Sequence, residues 1–256
     1  MKNVVILFLF FAVIACKEQT EKNEQVIANK ELTAQDIIDK AIKKSCNGNC
    51  NQAEITFTFR ENSYRSKRLK GAFELERVAK DSIGVVRDQL TNEGFTRSVN
   101  DVELKIADTT AKKLSNSVNS VHYFVQLPYG LNDAAVQKKL VGTDTIKDTS
   151  YYEIEVTFKK EGGGTDYDDV FVYWINKERF TVDYLAYKYE VNGGGIRFRE
   201  AYNPRTIEGI RFVDYNNYKT DNLQTPLTQL DDLFEKNELA LLSKIKTENV
   251  SVKLLN

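Results

Sequence analysis

From Ala53 onward the chain alternates apolar and polar side chains, and this period of two constrains the fold more than any other feature. Ile55, Phe57 and Phe59 alternate with Thr56, Thr58 and Arg60. Successive side chains of a strand point to opposite faces, so the pattern predicts half-buried strands. Further candidates are 66–78, 82–89, 94–99 and 102–107 and, after a central break, 151–160, 169–176, 180–190, 195–202 and 206–218, with a last strand at 249–254. The joints are short: Asn92-Glu93-Gly94, Gly162-Gly163-Gly164, Asn176-Lys177-Glu178-Arg179 and Asn192-Gly193-Gly194-Gly195. Such links join antiparallel neighbours, because a parallel crossover needs many more residues. The expected fold is mainly β (α+β). It would be a large curved antiparallel meander sheet or half-barrel of about ten strands, with N-terminal, central and C-terminal helices packed on it.

Three segments carry helix signals. Thr33-Ala34-Gln35-Asp36 reads as a capping box ahead of an apolar stripe of Ile37, Ile38, Ala41 and Ile42. A central helix over 131–140 follows Pro128-Tyr129-Gly130, with Asn132-Asp133 as its cap. A C-terminal helix over 227–242 begins after Thr225-Pro226, and Leu230, Leu233, Phe234 and Leu241 are spaced for one face. Some strands are apolar on both faces, notably Val170-Phe171-Val172-Tyr173-Trp174-Ile175 and Tyr184-Leu185-Ala186-Tyr187. Both sides of such a strand must be covered, or one side must line a cavity.

Lys2 precedes an unbroken apolar run over 4–15. A bilayer span needs about 20 such residues, so the run is too short for one and suits the apolar region of a signal peptide. It ends in Val13-Ile14-Ala15-Cys16, which resembles the lipobox of bacterial lipoproteins, although leucine is commoner where Val13 stands. The resemblance implies cleavage before Cys16, lipidation of Cys16 (diacylglycerol and an acyl chain such as palmitate) and anchoring to membrane lipid. Residues 17–30 are rich in Glu, Lys, Gln and Asn, a composition suited to a flexible tether. The expected organisation is thus a signal peptide over 1–15, the lipidated cysteine and tether over 16–31, and a single β-rich envelope domain over 32–256. That places the chain in the cell envelope, at the outer membrane, with periplasmic and surface orientations both open. In an oxidising envelope Cys46 and Cys50 are expected to form a small-loop disulfide. Their spacing is not that of a Cys-x-x-Cys redox pair, and a metal site would need two further ligands where His122 is the single histidine.

The order of helix, long meander, helical insertion and further meander resembles the half-barrel of the Lol-type lipoprotein carriers and receptors. There a curved sheet lidded by helices holds acyl chains. Val172-Tyr173-Trp174-Ile175-Asn176 and the turn after it are similar to an aromatic hairpin of those proteins. A second resemblance covers most of 33–254. Asn119-Ser120-Val121, Tyr123-Phe124, Leu127-Pro128-Tyr129, Tyr173-Trp174-Ile175, Asp183-Tyr184-Leu185-Ala186-Tyr187, the run from Arg197 to Asn203 and Asp214-Tyr215 match a family of Bacteroidota (flavobacterial) lipoproteins of unknown function. That family implies no activity.

Elimination narrows the chemistry. A net charge of −1 gives no basic field for nucleic acid. A Ser-His-Asp triad would depend on His122, which lacks a nucleophile-elbow glycine pattern around it and reads as a hydrogen-bonding residue of a loop or strand. Asp166, Asp168 and Asp169 lack the glycine and distal glutamate of a calcium loop. Neither glycine triplet continues into the Lys-Ser/Thr of a phosphate loop. No catalytic residue, metal ligand or cofactor is therefore assigned. Arg197 and Arg199 share one strand face, with Arg60, Arg77 and Arg97 on earlier strands; they would meet an anionic head group or form ordinary cross-strand ion pairs. The candidate ligand-pocket residues are Trp174, Tyr184, Tyr187, Arg197, Arg199 and Tyr202. The leading expectation is a membrane-anchored, non-catalytic envelope lipoprotein binding an apolar or amphiphilic ligand in its curved sheet. The alternatives are a structural or protein-interaction lipoprotein and, behind that, a hydrolase with a dispersed carboxylate and arginine site.

Overall fold

A computed structural model describes residues 31–161, 167–190 and 193–256. Cys16, the proposed tether over 17–30, Gly162-Gly163-Gly164, Asp166 and Asn192 lie outside the described residues. Helix α1 (Ala34–Cys46) starts at its capping box: Asp36 N–H donates to Thr33 Oγ1 at 3.2 Å, and Thr33 N–H donates to Asp36 Oδ2 at 3.0 Å. It ends where Asn47 turns into the left-handed region at φ 48°, and a disulfide then joins Cys46 to Cys50 across a Cα separation of 5.2 Å.

A first meander follows: β1 (Ala53–Phe59), β2 (Asn62–Leu69), β3 (Ala72–Asp81), β4 (Gly84–Thr91), β5 (Gly94–Val99) and β6 (Val102–Glu103). Helix α2 (Asp108–Val125) and a 3-10 turn over Tyr129–Asn132 lead to the second meander. Its strands are β7 (Val136–Ile146), β8 (Thr149–Phe158), β9 (Val170–Asn176), β10 (Val182–Tyr189), β11 (Gly195–Ile207) and β12 (Ile210–Thr220). A 3-10 turn over Leu227–Gln229, the short helix α3 (Leu230–Glu235), β13 (Ala240–Ile245) and β14 (Glu248–Leu254) complete the chain. The strands form two antiparallel seven-stranded sheets in the orders β14-β1-β2-β3-β4-β5-β6 and β13-β12-β11-β10-β9-β8-β7, and neither closes into a barrel. The expected class, mainly β with helices packed on curved antiparallel sheet, is what the structure has. The described strands number fourteen over two sheets instead of about ten in one.

Much of the difference lies in two-residue turns. Lys70-Gly71 (φ 52° and 85°) divides the single expected strand over 66–78 into β2 and β3, and Glu208-Gly209 (φ 48° and 79°) joins β11 to β12. Positive φ at both central residues gives the twist that suits a tight hairpin, and glycine in second place adopts it without strain. Asn100-Asp101 and Lys147-Asp148 make the same turn without glycine, through left-handed backbone at each residue.

The helices need more correction. The expected helix over 131–140 is a 3-10 turn followed by β7, because Val136, Lys138 and Leu140 alternate as a strand and pair with Phe158, Val156 and Ile154 of β8. The expected helix over 227–242 stops at Glu235: Asn237 takes φ 58°, and the residues beyond it pair with β12. Helix α2 carries no side-chain cap at Ala107 and is rich in Ser and Asn, so the usual start signal is missing. His122 accordingly sits on a helix, not on a loop or strand.

The second sheet is covered on both faces. Ile37, Ile38 and Ala41 of α1 pack on one face with Tyr173, Ile175 and Leu185. On the other, Trp174, Tyr184 and Phe198 pack under Leu230 and Phe234 of α3. This double cover is why β9 and β10 have no polar face. A third core joins Ile55, Phe57 and Tyr64 of the first sheet to Ile210 and Phe212 of β12 beside the disulfide.

Candidate functional site

Helix α2 lies between the sheets, and a cavity opens on each side of it. His122 faces the first sheet, donating from Nε2 to the Glu76 carbonyl of β3 at 3.1 Å, with its ring edge-on to Phe57 and Tyr64. Burial drives its pKa down to about 4, so the ring is neutral and Nδ1 is an acceptor left without a partner. The cavity on this side, about 520 Å³, has Arg68, His122, Gln126, Tyr129 and Asp133 in its wall beside Phe73 and Leu75.

The cavity on the other side, about 510 Å³, has aromatic rings from both sheets and the helix in its wall: Phe59 of β1, Tyr123 and Phe124 of α2, Phe158 of β8, Phe171 of β9, and Tyr187 and Tyr189 of β10. Phe171 and Tyr187 stack with centroids 5.2 Å apart, and Phe124 tilts against Tyr187 at 5.4 Å. Beneath them Tyr123 and Tyr173 share a hydroxyl–hydroxyl bond of 2.6 Å, and burial raises both phenols. A cavity of this size, mostly apolar with a few convergent polar groups, suits a small organic ligand, for which sites run from about 300 to 1,000 Å³.

Those polar groups include Arg197 and Arg199 of β11, Asn217 of β12, Arg60 after β1 and Asp169 just before β9. The Arg199 guanidinium lies 3.9 Å from the Phe124 ring centroid and 5.1 Å from that of Tyr187, and it donates to the Tyr187 hydroxyl at 2.7 Å. Arg197 donates to the Tyr189 hydroxyl at 2.6 Å and to the carbonyl of Ile196 at 2.9 Å. Neither forms an ion pair among the described residues. Arg77 and Arg97, by contrast, converge on Asp88 at 2.5 and 2.6 Å, the cross-strand pairing that the sequence offered as one of two outcomes.

Of the six residues singled out from the sequence, Tyr187, Arg197 and Arg199 line this cavity. Trp174 and Tyr184 point to the opposite face and are packed against Phe198, with Tyr184 also touching Phe234. Tyr202 falls outside it too, its phenol raised by burial and then by Asp214. Period-two reasoning separates the faces but does not say which one a helix will seal. Phe124 and Phe171 were missed as site residues, although the spacing of Leu114, Val118, Val121 and Val125 was a readable helical stripe.

A second polar cluster lies under α3. Asp144 of β7, Glu153 of β8 and Asp231 of α3 offer oxygens within 4.8 Å of one another. Burial, and then a hydrogen bond with Asp144, lift Asp231 to about 7, so it is only partly ionised at neutral pH; burial raises Glu153 as well. Gly142 makes room for Glu153, whose Oε2 would lie 2.7 Å from any Cβ placed there. None of the three acids borders the aromatic cavity.

No helix among the described residues is long and apolar enough to cross a membrane. No curated protein sequence matches the chain. Among solved structures it is similar to a LolA superfamily protein from Nitrosomonas europaea, with 14% identity and a TM-score of 0.49 over 88% of this chain and 95% of that one. It is also similar to a DUF1329 family protein from Desulfovibrio piger, with 14% identity and a TM-score of 0.40 over 82% of this chain and 100% of that one. The lipoprotein LppX of Mycobacterium tuberculosis gives 10% identity and a TM-score of 0.27 over 62% and 89% of the two chains. The family model that matches residues 2–247 spans nearly the whole chain, which therefore belongs to the family of unknown function DUF6503.

Proposed function

We propose that this protein binds an apolar or amphiphilic ligand in the aromatic cavity between α2 and the second sheet, as a non-catalytic component of the cell envelope anchored through lipid on Cys16. The observation that carries the reading is the cavity itself: about 510 Å³ with seven aromatic rings in its wall, on a sheet whose other face is already filled by α3. Packed interiors leave few voids larger than a water molecule, so an apolar space of this size is a feature to be accounted for. The anchor and envelope location are supported by the apolar leader and its Val13-Ile14-Ala15-Cys16 ending.

A neutral long-chain alcohol bearing a photoreactive diazirine tests the cavity on the full chain in non-ionic detergent. Labelled peptides should map to α2, β9 and β10. Ser120→Trp, at an exposed α2 position on the cavity lining, should block labelling without disturbing the core. Labelling spread evenly over the surface, unchanged in that variant, would refute the reading. The mass of the N-terminal peptide from membrane-extracted protein tests the anchor, which predicts an acylated Cys16.

A further inference from the structure

We infer that the ligand carries an oxyanion head group, and that Arg199, with Arg197 beside it, is the specificity determinant that holds it. The inference rests on the cavity reading above and names the ligand class that the cavity selects. Arg199 is 8% exposed, and its Nε–H is buried without a hydrogen-bond partner. The rings of Phe124, Tyr187 and Tyr215 surround the guanidinium, at 3.9, 5.1 and 5.8 Å. Cation–π contact satisfies the faces of a guanidinium, but its five N–H donors lie in the plane and need acceptors at the edge. Among the described residues only the Tyr187 hydroxyl fills that role.

Elsewhere the chain supplies a carboxylate. Arg65, Arg77, Arg87, Arg97, Arg205 and Arg211 each lie within 4.0 Å of one. Arg68, buried on the other side of α2, has the charge of Asp133 on its own cavity wall. Among the described residues Arg199 forms no ion pair, although Asp169 lies on the same cavity wall, and an unpaired buried charge is among the costliest groups a fold can retain. A planar fork with open edge donors, at the wall of an apolar cavity, matches an oxyanion at the end of an apolar chain. Arg197, half-buried on the same strand face, adds a second guanidinium. An acyl carboxylate and a lipid phosphate share the required chemistry.

The test uses three photoreactive probes with one long alkyl chain and different heads: carboxylate, phosphate monoester and hydroxyl. Each is titrated against the full chain in non-ionic detergent, and labelling of the α2 and β9–β11 peptides is quantified. At least one anionic probe should half-saturate at a concentration roughly tenfold or more below that of the alcohol, the worth of one or two charge-assisted hydrogen bonds. Preference for carboxylate or for phosphate identifies the source of the head group. In Arg199→Met the three probes should converge on the alcohol's value, and in Arg199→Lys part of the preference should return, because the charge is kept and the fork lost. A thermal melt confirms that each variant is folded. Equal labelling by all three heads, unchanged in Arg199→Met, would overturn the head-group inference and leave the cavity reading standing. Failure of every probe to label these peptides would refute both.

Discussion

Arginines reach α2 from both sheets, and the two sheets treat them differently. On the first, Arg77 donates to Ser117 of α2 and pairs with Asp88, which Arg97 also grips. On the second, Arg199 lies over Phe124 of α2 with rings for neighbours and no carboxylate. The opposite face of that sheet shows the converse, with Asp144, Glu153 and Asp231 gathered under α3 and, among the described residues, no cation paired to any of them. The Asp88 cluster of the first sheet is closed, Arg77 and Arg97 sharing one carboxylate, which is what a purely structural role requires. The second sheet also closes Arg205 on Asp214 and Arg211 on Asp183, but among the described residues it leaves Arg199 without an ion pair, a cost that folding alone does not explain.

The largest expected effect comes from opening a closed pair. Asp88 is 1% exposed, and Asp88→Asn would leave Arg77 and Arg97 without their shared carboxylate. The loss should be about 3 kcal/mol in urea unfolding; a loss below about 1 kcal/mol would remove the contrast between the sheets. Asp231→Asn addresses the acids. The Asp231 pKa is raised in the fold, so protons bind the native state more tightly and stability falls as pH rises from about 4 through about 7. The melting temperature of Asp231→Asn should show a flatter profile over that range, and an unaltered slope would place the pH dependence elsewhere.

A smaller change, of opposite sign, is expected at the open cation. Replacing Arg199 by Met removes an uncompensated buried charge, so the ligand-free protein should gain about 1 kcal/mol while losing its head-group preference. Destabilisation beyond about 1 kcal/mol would mean that the aromatic cage already satisfies Arg199. On the first-sheet side His122 has a lowered pKa, so the stability of its neutral form is lost as pH falls from about 6.5 through about 4. His122→Phe should flatten this acid limb, opposite in slope to that of Asp231. Arg197→Gln should come last, within about 0.5 kcal/mol, because its guanidinium is half-solvated.

The strands were largely legible because alternation is a local signal repeated many times, and α1 was legible because its capping box and its apolar stripe agree. Helix α2 was legible only through its apolar stripe of Leu114, Val118, Val121 and Val125, because its Ser and Asn residues have weak helix propensity and no cap announces its start. At 131–140 the spacing of Val136 and Leu140 fits a helix and a strand alike, and only the partner strand β8 decides between them. Within the site, Tyr187, Arg197 and Arg199 could be placed on strands in advance. Phe124 could not be joined to them, because it arrives from a different element nearly seventy residues away in the chain.

The sequence by itself determined the alternation that makes strands, the tight turns that make them antiparallel, the apolar run ahead of Cys16, and the shared face of Arg197 and Arg199. These are properties of neighbouring residues, set by backbone sterics and side-chain polarity. Only the tertiary structure decided which face of the second sheet would be sealed by α3 and which would keep a cavity under α2. It also decided which arginines would find a carboxylate. Those outcomes depend on residues brought together from distant strands, and the free energy of a buried charge is set by whatever stands beside it.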